Sequence, residues 1–321
     1  MATGAYVSWG LLPVYWKLLG HVPAPQLLCH RIVWSCVSLA LFLGLTRKLG
    51  GLRRSLSPAV WNSSSLASVL MGVNWFIYVW SVNSGFIVEA SLGYFMTPLF
   101  SVLLGVFILR ERLRVLQWVP LGLAAAGVAY LTFEYGRPPW IALALSTTFS
   151  LYGLVKKKAP LGAFEGLTLE TAILFLPALG WLVWSEAGGD GVFLHAGTLS
   201  DTMLLFSGVV TTAPLVMFAA AAHRIPLSMI GFLQYIAPSI QFLLGVFVYG
   251  EPFAGPQLVG FGLVWAAVLA FCFERWRFGW APDEWPNARD IGRQTVSLPI
   301  SARLTDEDVG DVIAAVRHIL A

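Results

Sequence analysis

The chain has 321 residues, 57% of them hydrophobic and only 12% charged, whereas soluble domains carry about 25% charged residues, so a water-soluble globule is excluded for most of the length. The formal net charge of +3 is small and the Lys and Arg residues fall in short clusters with no continuous stripe, which argues against nucleic acid as a partner. Cys29, Cys36 and Cys272 are odd in number and lie in apolar stretches, so neither a disulfide framework nor a thiolate metal site is expected.

Charges punctuate the chain at intervals suited to membrane helices of about 20 residues. The spacing predicts spans at 2–19, 26–45, 64–82, 88–109, 115–133, 139–156, 166–185, 202–221, 227–249 and 256–273, and short alternating strands that would close a barrel are missing. The expected fold is therefore all-α, a polytopic bundle of ten transmembrane helices. The first run lacks a basic n-region and a cleavage site, so it reads as a span and not as a removable signal. Arg47, Lys48, Arg53 and Arg54 follow the second run, Arg110, Arg112 and Arg114 the fourth, Lys156, Lys157 and Lys158 the sixth, and Arg224 the eighth. That alternation predicts a multi-pass protein of the cytoplasmic (inner) membrane with both termini cytoplasmic.

The segment from Pro98 to Glu111 recurs from Pro238 to Glu251 with seven identities in fourteen positions, at an offset of 140 residues. Each half then holds five spans, and an odd number forces the halves to enter the membrane from opposite sides. The offset sets Arg47, Lys48, Arg53 and Arg54 against Ala187, Gly188, Phe193 and Leu194, and Arg110, Arg112 and Arg114 against Gly250, Pro252 and Ala254. Among the eleven basic loop residues, Lys157 alone meets a basic equivalent, Lys17. Two inverted five-helix repeats, 1–137 and 138–273, are expected, followed by a cytoplasmic tail, 274–321. Such a pair suits alternating access.

Polar groups at membrane depth face the bundle interior or a wet cavity. Tyr94, Pro98 and Ser101 fall at i, i+4 and i+7, and their equivalents Gln234, Pro238 and Gln241 repeat that stripe. Each proline also frees a carbonyl, so hinge and binding surface are expected to coincide. Candidate substrate-binding residues are Tyr15, Asn74, Trp75, Tyr78, Tyr94, Pro98, Gln234, Tyr235, Pro238 and Gln241, with Trp16 beside Tyr15. Against this stands the number of aromatics, 14 Trp, 9 Tyr and 21 Phe, most of which must be packing or interfacial. Lys17, His30, Arg31, Glu89 and Glu170 are candidates for a gate or charge relay, with Arg31 and Glu89 the preferred pair. Snorkelling to the interface accounts for Lys17 and Arg31 equally well, and a solvated helix end for Glu170.

No metal-ligand spacing, phosphate-binding loop or nucleophile elbow occurs, so no catalytic residue, metal or cofactor is expected. The expected partners are a small-molecule substrate and the lipid bilayer, and the small-residue spacing Gly122 to Ala126 is compatible with a homodimer.

The stretches WGLLPVYWKL at 9–18, HRIVWS at 30–35, GVNWFIYVWSVN at 72–83, EASLGYFMTPL at 89–99, FSLYGLVKKK at 149–158 and GFLQYIAPSIQFLLGVFVYGE at 231–251 resemble the EamA family of the drug/metabolite transporter superfamily. The resemblance covers residues 1 to about 273 and implies an inner-membrane permease for a small metabolite or drug-like compound. The last forty or so residues resemble the C-terminus of DegT/DnrJ-type aminotransferases, without a cofactor-binding region or any lysine, so no aminotransferase activity is expected. Within that tail Thr305, Asp308 and a stripe from Val309 to Leu320 predict a short amphipathic helix. The expected function is secondary transport by alternating access. The alternatives are a membrane-embedded enzyme on lipid-linked substrates, which needs a cluster of perturbed acidic or His groups, and a non-transporting scaffold, for which the tail is the working part.

Overall fold

The computed structural model describes residues 1–84, 86–136, 138–249 and 255–278. Every element among them is helical. Backbone amides surrounded by hydrocarbon have no solvent partner, so long apolar runs satisfy them within helices. The order is α1 (Ala2–Leu18), α2 (Ala24–Leu45), α3 (Leu49–Arg54), α4 (Pro58–Asn83), α5 (Ile87–Phe107), a 3₁₀ turn (Val115–Gln117), α6 (Trp118–Tyr135), α7 (Trp140–Lys158), α8 (Ala163–Ala187), α9 (Thr198–Ala222), α10 (Leu227–Gln234), α11 (Ile236–Leu243), a π-helical turn (Leu244–Val248) and α12 (Gly255–Phe278). Ala24–Leu45, Val115–Glu134, Ala163–Ala187, Thr198–Ala222 and Leu227–Val248 are each long and apolar enough to cross a membrane, and Leu92–Phe107 and Leu258–Glu274 are shorter apolar helices. Large apolar side chains such as Leu45, Phe133, Leu176 and Phe247 point outward, a surface that suits lipid and not water.

Proline and glycine set several of the ends. Pro23, Pro139 and Pro226 precede α2, α7 and α10, where a missing N–H costs nothing. Gly136, at φ 75°, closes α6 in the left-handed conformation that a side chain resists. Several predicted boundaries differ, among them the start of α4, at Pro58 and not 64. The run 227–249 is not one helix: Pro238 cannot donate to the Gln234 carbonyl, the chain turns at Tyr235, and a π-helical turn follows. By contrast α5 passes through Pro98 unbroken. At the C-terminal end α12 runs to Phe278, beyond the predicted stop at 273, because Glu274 is buried and accepts hydrogen bonds from Arg114 Nη1 and Gln117 Nε2, both at 3.2 Å. The short α3 was not predicted, and the amphipathic helix expected within 305–320 lies outside the described residues.

Small residues let the helices approach closely. A Cβ on Gly208 of α9 would collide with the Trp34 carbonyl carbon of α2, and one on Gly231 of α10 would lie 2.7 Å from the Pro98 carbonyl oxygen of α5. Gly122, by contrast, has open space around it among the described residues. Two carboxylates tie helix N-termini down, as the positive end of a helix favours. Glu89 accepts from Ile141 N at 2.7 Å at the start of α7, and Glu111 accepts from Leu227 N and Ser228 N at 2.7 and 2.8 Å at the start of α10.

Candidate functional site

A cavity of about 380 Å³ lies among α1, α2, α4, α5, α7, α9, α10 and α11. That volume is at the lower end of the range of about 300–1,000 Å³ seen for small-molecule sites. Seven aromatic side chains face it: Tyr6, Trp9, Trp16, Trp75, Tyr78, Tyr94 and Phe149. Its polar wall is Arg31, Asn74, Thr97, Thr211, Gln234 and Gln241. The cavity is displaced toward one end of the bundle: α2 contributes Ala24, Leu27, Leu28 and Arg31 from its first turns, while α7 contributes Leu145 and Phe149 from its first half. Tyr94 has 46% of its surface uncovered, and this residue is part of the cavity wall.

Most of the polar wall is held by hydrogen bonds within the protein. Asn74 Nδ2 donates to the Leu145 carbonyl at 2.9 Å and to Thr148 Oγ1 at 2.8 Å, and Gln241 Nε2 donates to the Trp9 carbonyl at 3.1 Å. Ser101 Oγ donates to Gln234 Oε1 at 3.2 Å. Arg31 Nε donates to Thr211 Oγ1 at 3.1 Å, and its guanidinium carbon lies 4.7 and 5.3 Å from the ring centres of Trp16 and Trp75. Thr211 is the fourteenth of the 25 residues of α9, so the guanidinium is aimed at mid-helix depth and not at the interface.

Beyond the cavity the bundle is packed shut. Phe218, nearly fully buried, touches the rings of Tyr6, Trp9 and Phe149 from the cavity wall and stacks on Tyr152 at 6.1 Å. Next to it Lys156 Nζ lies 2.7 Å from Glu170 Oε1, and Tyr152 Oη donates to Glu170 Oε2 at 3.1 Å. Lys156 is completely buried.

Seven of the ten residues expected at a binding site line this cavity: Asn74, Trp75, Tyr78, Tyr94, Gln234, Pro238 and Gln241. Tyr15, Pro98 and Tyr235 do not. Tyr15 donates its hydroxyl to the Met203 carbonyl, Pro98 is covered by Gly231, and the buried Tyr235 donates to the Phe95 carbonyl at 3.4 Å. The five charged candidates are dispersed. Arg31 and Glu89 do not pair, because Glu89 is held at the start of α7 while Arg31 turns to α9. Lys17 lies over the Tyr249 ring at 3.4 Å, and His30 packs against Phe193. Residues missed from sequence include Tyr6, Trp9 and Pro13, which with Trp16 recur at i, i+3, i+7 and i+10 and so mark one face of α1. Thr211 and Lys156 were missed as well.

Residues 1–133 match the EamA-like transporter family. A protein named RarD from Streptomyces exfoliatus is 46% identical over 275 residues, covering 85% of this chain and 87% of its own. The chain belongs to the EamA-like transporter family. The uncharacterized transporter YojE of Bacillus subtilis (strain 168) is also 46% identical, covering 84% of this chain and 92% of its own, and the Escherichia coli (strain K12) protein RarD is 38% identical, covering 85% and 93%. A solved crystal structure, 19% identical, superposes with a TM-score of 0.64 over 87% of this chain and 97% of its own, which shows a shared fold. The helices and this kinship make it a multi-pass membrane protein.

Proposed function

We propose that the chain is a secondary transporter that carries a small metabolite or drug-like compound across the cytoplasmic membrane by alternating access, through ten spans arranged as two inverted repeats. At the offset of 140 residues, α1, α2, α4, α5 and α6 correspond to α7, α8, α9, α10 with α11, and α12. The pairing of helices supports this reading and is the observation that carries it. Packing of α5 on α7 is matched by α1 on α11, α4 on α7 by α1 on α9, and α2 on α9 by α4 on α8. The remaining large contacts, α2 with α8, α5 with α10 and α6 with α12, each join a helix to its own equivalent. A chain related to itself by such an axis has two conformations of similar energy, one open to each side.

With the basic loops placed in the cytoplasm, the cavity lies in the outer half of the bundle, and Phe218, Tyr152 and the Lys156–Glu170 pair close the inner half. Gln234, Pro238 and Tyr94 contact substrate, and the turn at Tyr235 gives the ninth span a joint. Kinship favours this over an enzyme, since the relative YojE of Bacillus subtilis is named a transporter. The test uses Thr97→Cys in a chain lacking Cys29, Cys36 and Cys272. A membrane-impermeant thiol reagent should modify it in both right-side-out and inside-out vesicles. Modification from one side alone would overturn alternating access.

A further inference from the structure

We infer that the cavity selects a small organic carboxylate, and that Arg31 is the group that holds its negative charge. This deepens the reading of the cavity as the substrate site and rests on it. Among the described residues Arg31 is the one charged side chain in the wall, and no carboxylate shares the wall with it. Its hydrogen bond to protein uses Nε, toward Thr211. The two Nη groups are the donors that form a fork for a carboxylate, and among the described residues they make no hydrogen bond to protein.

An unpaired cation at this depth is costly and marks a site where charge is compensated by a ligand. Snorkelling is the competing explanation, and the geometry opposes it, because Thr211 draws the guanidinium to the middle of α9. Trp16 and Trp75 flank the guanidinium and fix its plane. A single cation among aromatic rings suits one negative charge. A phosphate dianion would leave a second charge buried without a partner. Apart from the neutral Asn74, Thr97, Thr211, Gln234 and Gln241, the rest of the wall is aromatic and apolar, so the ligand's remainder is a compact, uncharged, largely planar or apolar body that fits within about 380 Å³. The repeat equivalent of Arg31 is Thr171, so the scaffold is duplicated while the charge is not.

The experiment measures equilibrium binding of radiolabelled benzoate, phenylacetate and indole-3-acetate to the purified full chain in detergent, each against its uncharged primary amide. At least one acid should bind saturably and at least tenfold more tightly than its amide. Arg31→Gln should erase that difference, Arg31→Lys should retain part of it, and Thr211→Val, which keeps the charge but frees Nε, should reduce it. Equal binding of acid and amide, a preference that survives in Arg31→Gln, or no saturable binding of any of the three acids would each overturn the inference. Binding in detergent needs no movement across a membrane. One-sided labelling of Thr97→Cys together with intact acid preference would therefore count against alternating access and leave the carboxylate site standing.

Discussion

Lys156 has no exposed surface and relies on one carboxylate, Glu170, 2.7 Å away. Gly166 makes room for it, since a Cβ there would lie 3.0 Å from the ammonium. Removing one member of a buried pair leaves the other charge without compensation, at a cost of about 3–5 kcal/mol, whereas removing both in favour of apolar groups is often close to neutral. Lys156→Met should thus lower the thermal unfolding midpoint in detergent sharply, and Lys156→Met combined with Glu170→Leu should recover most of the loss. Equal midpoints for the single and double variants would mean that the pair does not hold α7 to α8. In the sequence Lys156 looks like one of three solvated loop lysines, but Phe149, Tyr152 and Lys156 recur at i, i+3 and i+7, which places the lysine on the inward face. The polar stripe of α5 and the ninth span was legible for the same geometric reason. Periodicity names a face but not the helix that covers it, so Pro98 and Tyr235 were expected in the cavity although α10 and α5 cover them. Arg31 and Glu89 were paired because both lie near helix starts. A carboxylate beside another helix N-terminus has the nearer partner in an amide, which sequence alone does not reveal.

At the scale of elements, the existence of the long helices follows from hydrocarbon alone, which is why their positions could be read to within a few residues. Their crossings could not, because close approach depends on which glycine meets which backbone. Gly122 and Ala126 have the right spacing for a tight crossing, yet among the described residues a Cβ on Gly122 would meet nothing within 4 Å. Gly208 is the position where α9 meets the α2 backbone, at a distance no side chain tolerates. Ser35 Oγ donates to the Gly208 carbonyl at 3.2 Å and locks the same crossing. Gly208→Ala forces the two helices apart, a strain of about 1–3 kcal/mol or more. Thr211 lies three residues further along α9, so the separation also stretches the Arg31 hydrogen bond. Gly122→Ala meets open space and gains helix propensity of about 0.8–1 kcal/mol. Thermal unfolding of the two variants should therefore move in opposite directions, down for Gly208→Ala and level or up for Gly122→Ala. A Gly208→Ala chain as stable as the parent would show that α2 and α9 do not meet so closely.

For the whole molecule, the decisive quantity is the parity of spans between two points of the chain. The segment 47–54, rich in Arg and Lys, corresponds by the repeat to 187–194, which has no basic residue. In the proposed topology charge bias holds the first loop in the cytoplasm while its equivalent lies outside. A basic loop of the first half and the non-basic loop 187–194 are both reachable: Arg112 lies in the exposed connection after α5, and Leu194, 72% exposed, lies in the connection between α8 and α9. Three helices, α6, α7 and α8, separate them, each a span in the proposed topology. In the proposed topology that odd number of crossings puts the two loops on opposite faces, and the same oddness, five spans per half, inverts the repeats. In a chain lacking Cys29, Cys36 and Cys272, Leu194→Cys should react with an impermeant thiol reagent in intact cells, and Arg112→Cys only after the membrane is permeabilised. Reaction of both in intact cells, or of neither, would place the two loops on one face. The halves could not then be inverted, the matched helix pairs would reflect a parallel duplication, and the cavity would have no symmetry-related state open to the other side.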